Sequence, residues 1–523
     1  MWAKTLNLLL FIIVLGVSSC KEERQRTSEN TSIKNVNYME PYRPQFHFSP
    51  DSMWMNDPNG MVYHQGKYHL FYQFYPDSTV WGPMHWGHAV SEDLLHWKHK
   101  PIALYPDELG YIFSGSAVLD EKNSSGFGTE SNPPLVAIYT YHDPEGEKSG
   151  KNNFQTQGLA FSLDNGESWT KYQDNPIIAN TEDIRDFRDP KVMWHEESSS
   201  WVMTLVAGDH AQFYRSLDLK NWELSGEFGK HVGAHGGVWE CPDLFKIKVQ
   251  GSDEEKWVLL ISINPGAPNG GSGTQYFVGD FDGKTFVTDQ IEHKWVDWGT
   301  DNYAGVTYSN APEEKRIFLG WMSNWAYAQS TPTDRWRSAM TVPRELSLHK
   351  DKDNEGFELY GYPINQFDDI VSKKSSKSIE IEPGAKEVDD YDNLNQSEVR
   401  FETNSNEFTM ELGNSLGESL ILEFKKDTLR LNRSNSGKTD FEKAFGEIVQ
   451  KMPMPHLDSI FEVRMILDWS SIEIFIDKGK YVMTSQIFPN ENYGQLSFEN
   501  KSNQIMSVQN LEVSEVKRTW PTN

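Results

Sequence analysis

Cysteine is almost missing from this chain: there are two in 523 residues. A framework of disulfides is therefore excluded as the source of its stability. Positive charge is also in deficit, because 49 Lys and Arg face 76 Asp and Glu, for a net charge of −27. So acidic a surface repels nucleic acid and anionic lipid, and it favours neutral ligands. Long amphipathic helical patterns are lacking. So is any convincing membrane span, since the apolar run from Leu8 to Val17 is too short to cross a bilayer. Aromatic surface is plentiful, with 18 Trp, 21 Tyr and 28 Phe. That suffices for large β-rich cores, and it also suits sugars, whose C–H faces stack on aromatic rings. The length exceeds one ordinary core, so two domains are expected.

Residues 1–20 read as an export signal: Lys4, a short apolar core, then Val17-Ser18-Ser19-Cys20. The last four resemble the lipobox of bacterial lipoproteins, which makes Cys20 the expected lipidation site. The expected location is an exported, membrane-anchored lipoprotein, at the cell surface or facing the periplasm. With Cys20 acylated, Cys241 has no partner for a disulfide. Residues 21–41 are polar and read as a flexible tether.

From 42 to 350 short apolar runs alternate with turn residues, as in Tyr68–Tyr72, Leu135–Tyr139, Trp201–Val206 and Trp257–Ile261. A repeat runs through them. Ser91-Glu92-Asp93 leads to Trp97, Ser162-Leu163-Asp164 to Trp169, and Ser216-Leu217-Asp218 to Trp222, with a degenerate copy at Gly279–Gly283 before Phe286. A unit of about 50–70 residues fits one four-stranded propeller blade, and the segment holds about five. The expected fold is all-β: a five-bladed β-propeller over 42–350, a linker over 351–375, and a C-terminal β-sandwich over 376–523. In the last, Ser471–Asp477 alternates its isoleucines onto one face, and Asp477–Lys480 signals a hairpin.

Three acids are each followed closely by proline and an apolar run: Asp57-Pro58, Asp189-Pro190 and Glu240-Cys241-Pro242. Asp57-Pro58-Asn59-Gly60 has the composition of a turn at the start of a strand. Innermost strands of a propeller begin at one end of the channel, so the three acids are expected to face one another. Two carboxyl groups flanking a glycosidic bond perform retaining hydrolysis, one as nucleophile and the other as acid and base. A third that stays charged favours the developing cation, but spacing does not say which acid takes which role. Neither His85-x-x-His88 nor His231-x-x-x-His235 has a supporting ligand set, so no metal and no cofactor is expected.

These motifs, together with Phe71-Tyr72-Gln73, Trp81–His88, Phe113-Ser114-Gly115-Ser116, Gly320–Trp325, Arg335–Ser338 and Asp468–Phe475, resemble glycoside hydrolase family 32, the β-fructosidases. The resemblance implies a five-bladed propeller and a sandwich. It implies Asp57 as nucleophile, Glu240 as acid/base and Asp189 as transition-state stabiliser beside Arg188. Asn56, Gln73, Trp81, Phe113, Ser114 and Trp325 match positions that line the fructose pocket. The expected partner is a fructan or fructo-oligosaccharide substrate, levan or inulin. The rivals are sucrose cleavage, fructosyl transfer and, from another class, a non-catalytic glycan-binding lipoprotein.

Overall fold

The structure, a computed structural model, describes residues 38–351, 356–372 and 374–521. The expected signal and Cys20 lie outside these residues. Five antiparallel sheets of four main strands follow one another in chain order. Their innermost strands are Met53–His64, Tyr111–Leu119, Phe187–His195, Val238–Lys248 and Tyr303–Thr307. Each packs against the innermost strand of the next sheet, and the fifth packs back on the first, so the ring closes as a β-propeller. Closure is reinforced by Trp336–Arg337, which leaves the fifth blade and pairs in parallel with Met53-Trp54.

The repeat found in the sequence has one structural meaning. In four blades it is the turn between the third and fourth strands. Asp93 accepts from the backbone N–H groups of Leu95 and His96 at 2.9 and 2.8 Å, and Asp218 from those of Lys220 and Asn221 at 3.0 and 2.8 Å. Asp164 accepts from the Ser168 N–H at 2.9 Å, and Asp282 from those of Lys284 and Thr285 at 2.9 and 2.7 Å. A short acid that satisfies loop N–H groups is why Asp recurs there.

The fifth blade corrects the expected boundary. Arg344–Lys350 pairs with Phe357–Pro363 in one sheet, so the propeller runs to Pro363. The strands on either side of the polar stretch after residue 350 belong to one sheet, so no linker starts there. Polar loops within and between domains have the same composition. The expected tether is shortened as well, because Tyr38 is buried and stacks on Trp520 with ring centroids 4.2 Å apart.

Two six-stranded sheets follow and enclose a core that includes Phe401, Phe408, Met410, Leu422, Ile472, Ile474 and Ile476. The isoleucines of Ser471–Ile476 all enter this core, while Phe475 on the opposite face joins Phe46, Val342 and Phe367 against the propeller. Period-two alternation thus builds the sandwich and its interface at once.

Buried charge stitches that interface. His47 bridges Asp468 at 2.7 Å and Glu473 at 2.8 Å, and Arg344 joins Glu473 to Asp297. Burial alone would push His47 down, but its two carboxylate partners raise it from an ordinary 6.5 to about 9. Its folded value lies above its unfolded one. The stability it contributes is therefore whole below pH 6.5 and lost as pH rises through about 9. Melting temperature measured across that window is expected to fall, and His47→Phe to flatten the fall.

Candidate active site

Pairing along the five innermost strands shows why side chains reach the channel. In each strand two residues oppose one on the neighbour: Asn56-Asp57 face Gln73, Phe113-Ser114 face Thr140, Asp189-Pro190 face Leu205, Cys241-Pro242 face Ile261, and Ala304-Gly305 face Gly320. A bulge of this kind bends the strand and re-aims a side chain. Asp189, Cys241 and Ala304 take positive φ values of 64°, 45° and 53°, a backbone cost shared by three of the five bulges. Pro190 and Pro242 fit because bulged positions need no ladder N–H. The sequence reading of Asp57–Gly60 as a strand-starting turn is thereby corrected. The strand runs unbroken from Met53 to His64, and the turn-like residues make bulges within it.

The three acids meet. One thiol, Cys241 Sγ, lies 3.4 Å from Asp57 Oδ2 and 3.6 Å from Asp189 Oδ2. The backbone N–H of Cys241, the residue after Glu240, donates to Asp189 Oδ2 at 3.0 Å. Arg188 Nη2 donates to Glu240 Oε1 at 3.0 Å, its Nε lies 3.9 Å from Asp189 Oδ2, and its Nη1 is held by Asp186 at 2.6 Å. Burial, then the charges of Asp57, Asp189 and Glu240, pushes the Cys241 thiol far up, so it stays protonated and serves as a donor rather than a nucleophile.

The acids differ in surroundings, and chemistry follows from the difference. Asp57 is half-buried and accepts from Ser114 Oγ at 2.6 Å and from Asn56 Nδ2 at 3.0 Å, which fix the direction of its carboxyl group. Burial pushes Glu240 up; Arg188 and the hydroxyl of Tyr303 oppose this, while the charge of Asp57 adds to it. Burial likewise pushes Asp189 up to about 7, against Arg188 and with the charges of Glu240 and Asp57. Burial in this crowded set thus favours the protonated forms of Glu240 and Asp189 more than in an ordinary exposed acid, the direction general acid catalysis requires.

The remaining residues expected at the pocket cluster here. Trp54 Nε1 donates to Asn56 Oδ1 at 2.7 Å, and Trp325 stacks on Trp54 with centroids 5.8 Å apart. Trp81 meets Phe113 edge-on at 6.1 Å and is 36% exposed, so its ring stands at the mouth. Gln73 is buried opposite the Asn56-Asp57 bulge, and the Asn59 amide, turned so that its oxygen faces Gln73, accepts from Gln73 Nε2 at 2.9 Å. Among the described residues no group of three or more His, Cys, Asp or Glu forms a metal cluster.

Tyr303 was missed by sequence reasoning. Its hydroxyl donates to Glu240 Oε2 in a very short contact. The signal lies in the register: Tyr303, Glu240 and Arg188 each stand just before the bulge of their own strand. Its hydrogen bond favours the Glu240 carboxylate, so Tyr303→Phe is expected to raise the Glu240 pKa. The alkaline limb of kcat/KM then moves to higher pH, which a pH–rate profile on a short substrate reads directly.

The model of the glycosyl hydrolases family 32 N-terminal domain matches residues 47–363, and that of the family 32 C terminal matches residues 366–515. The chain is 44% identical over 503 residues to a levanase of Bacillus subtilis (strain 168), covering 93% of this chain and 72% of the levanase. It is 38% identical over 520 residues to an extracellular exo-inulinase of Aspergillus niger, covering 92% of this chain and 96% of that protein. The crystal structure of an exo-inulinase from Aspergillus awamori superposes with a TM-score of 0.83 at 35% identity, over 92% of this chain and all (100%) of the other.

Proposed function

Because this chain belongs to glycosyl hydrolase family 32, we propose that it is a retaining β-fructosidase cutting fructose linkages in fructans, levan or inulin. The convergence of Asp57, Asp189 and Glu240 on one pocket carries the reading. Asp57, oriented by Ser114 and Asn56, attacks the anomeric carbon as the bond to the leaving oxygen breaks. Glu240, raised by burial, gives its proton to that oxygen. It then takes a proton from the water that releases the sugar from Asp57, so configuration is retained. Asp189 and Arg188 hold the sugar's hydroxyls, and Asp189 in its ionised form, which prevails above about pH 7, favours the cationic transition state. An acidic surface and a Trp-lined mouth suit a neutral polyol.

Chromatography of products from levan, inulin and sucrose tests this reading. Fructose release from either fructan, faster than from sucrose, is the expected result. Fructose as sole product marks exo action, and a ladder of oligomers marks endo action. Faster turnover of sucrose would make the enzyme an invertase, and binding without any release would make it a non-catalytic lectin. We also propose that the chain is exported and lipid-anchored through Cys20, on the support of Lys4, the apolar run to Val17 and the lipobox-like Val17–Cys20. Cys20→Ala is then expected to abolish incorporation of labelled fatty acid and to leave the enzyme detached from membranes.

A further inference from the structure

The sandwich has no assigned part in the chemistry, yet a continuous set of contacts joins it to Asp57. In the fourth blade, the loop after Glu255–Asn264 presents Asn269 to the sandwich's edge strand Gln450–Pro453. Asn269 Nδ2 donates to the Lys451 carbonyl at 2.9 Å, and the Lys451 N–H returns a bond to Asn269 Oδ1 at 2.8 Å. The same Nδ2 donates to the carbonyl of Trp298, a propeller side chain that packs against the sandwich core, at 2.6 Å. Beside it, the Thr300 N–H donates to Gln450 Oε1 at 3.0 Å, and Gln450 is fully buried.

This clamped loop then grips the pocket wall. Asn324 Nδ2 donates to the carbonyls of Thr300 at 2.8 Å and Gly270 at 3.3 Å, while Asn324 Oδ1 accepts from the Ser272 N–H at 3.3 Å. A Cβ on Gly271 would stand 2.0 Å from Asn324 Oδ1, and the residue's φ is +66°, so only glycine fits the approach. Ser272 Oγ accepts from the N–H of Trp325 at 2.9 Å. Trp325 stacks on Trp54, Trp54 bonds Asn56, and Asn56 bonds Asp57. From Lys451 to Asp57 every link is a hydrogen bond, a ring contact or a short stretch of chain.

We infer that Asn269 and Gln450 are positioning residues through which the sandwich holds the Trp325–Trp54 wall of the fructose pocket in register with Asp57. The inference rests on the β-fructosidase reading of that pocket. A side-chain clamp made of several hydrogen bonds is strong enough to set the wall, because each net bond changes an equilibrium by about fivefold. The wall fixes the ring that the nucleophile must meet, so loosening it weakens sugar binding before it weakens the fold.

The test compares Asn269→Ala, Asn269→Asp and Gln450→Ala with the wild type. Fructose release by the wild type establishes the underlying reading independently. For Asn269→Ala the expected result is an increase of at least about fivefold in both KM and the inhibition constant of free fructose, since the two bonds to Lys451 and the one to Trp298 are lost. Melting temperature should change little, and Asn269→Asp, which keeps the acceptor for Lys451, should recover part of the loss. Gln450→Ala should move the same two constants in the same direction. Unchanged fructose inhibition and KM in both alanine variants, whether or not melting temperature falls, would overturn the inference.

Discussion

Replacing Asp57 by Ala is expected to lower fructose release by at least about 10⁴-fold, because the covalent route loses its nucleophile and water must attack unaided. The fold should survive. Asp57 is half-buried, and the change leaves the strand's bulge and its neighbours Trp54 and Trp321 in place. Ser114 Oγ and Asn56 Nδ2 lose a partner, a cost of roughly 1–3 kcal/mol that is partly relieved because solvent reaches the pocket. Melting temperature and the far-UV spectrum should therefore stay near wild type while kcat collapses. Equal activity in the variant would remove Asp57 from the reaction and, with it, the whole reading of the pocket.

Glu240→Ala carries the second large effect and a different signature. General acid catalysis contributes about 10²–10⁴-fold, so natural fructans should be turned over slower by that factor. The deficit should shrink on a substrate whose leaving group needs no proton. Azide, small enough to enter the space left by the side chain, should restore turnover and give a β-fructosyl azide, because the second displacement still occurs on the face opposite Asp57. Glu240 also pairs with Arg188 and Tyr303, so the alkaline limb that it sets should vanish from the pH profile. An inverted α-azide would place the two carboxyl groups in the other mechanism. Persistence of the alkaline limb would assign it to Asp189, which burial holds near 7.

The strands and the sandwich face were legible because period two is a local signal. Ile472, Ile474 and Ile476 alternate in the sequence and enter one core. The Ser-x-Asp turns were legible for the same reason, since each solves a local problem of unpaired N–H groups. Bulges were not legible. Asp57-Pro58-Asn59-Gly60 has the residues of a turn, and only pairing with Tyr72 and Phe74 shows that the strand continues through them. Tyr303 was invisible because its role depends on which residue of the fourth blade lies beside it. The acids themselves could be paired in advance only on the assumption of a closed ring, which places residues 57, 189 and 240 at one level despite their separation in sequence. The end of the propeller was misplaced because the polar sequence after residue 350 has the composition of a linker, and only the pairing of Arg344–Lys350 with Phe357–Pro363 shows that the sheet continues.

In the retaining mechanism, sugar passes first to Asp57. Rapid acid quench of the enzyme during turnover of a fructan, followed by proteolysis and mass spectrometry, measures this directly. One added fructosyl unit is expected on the peptide that carries Asp57, and none in the Asp57→Ala protein. A fructosyl unit on Asp189 or Glu240 instead would contradict it.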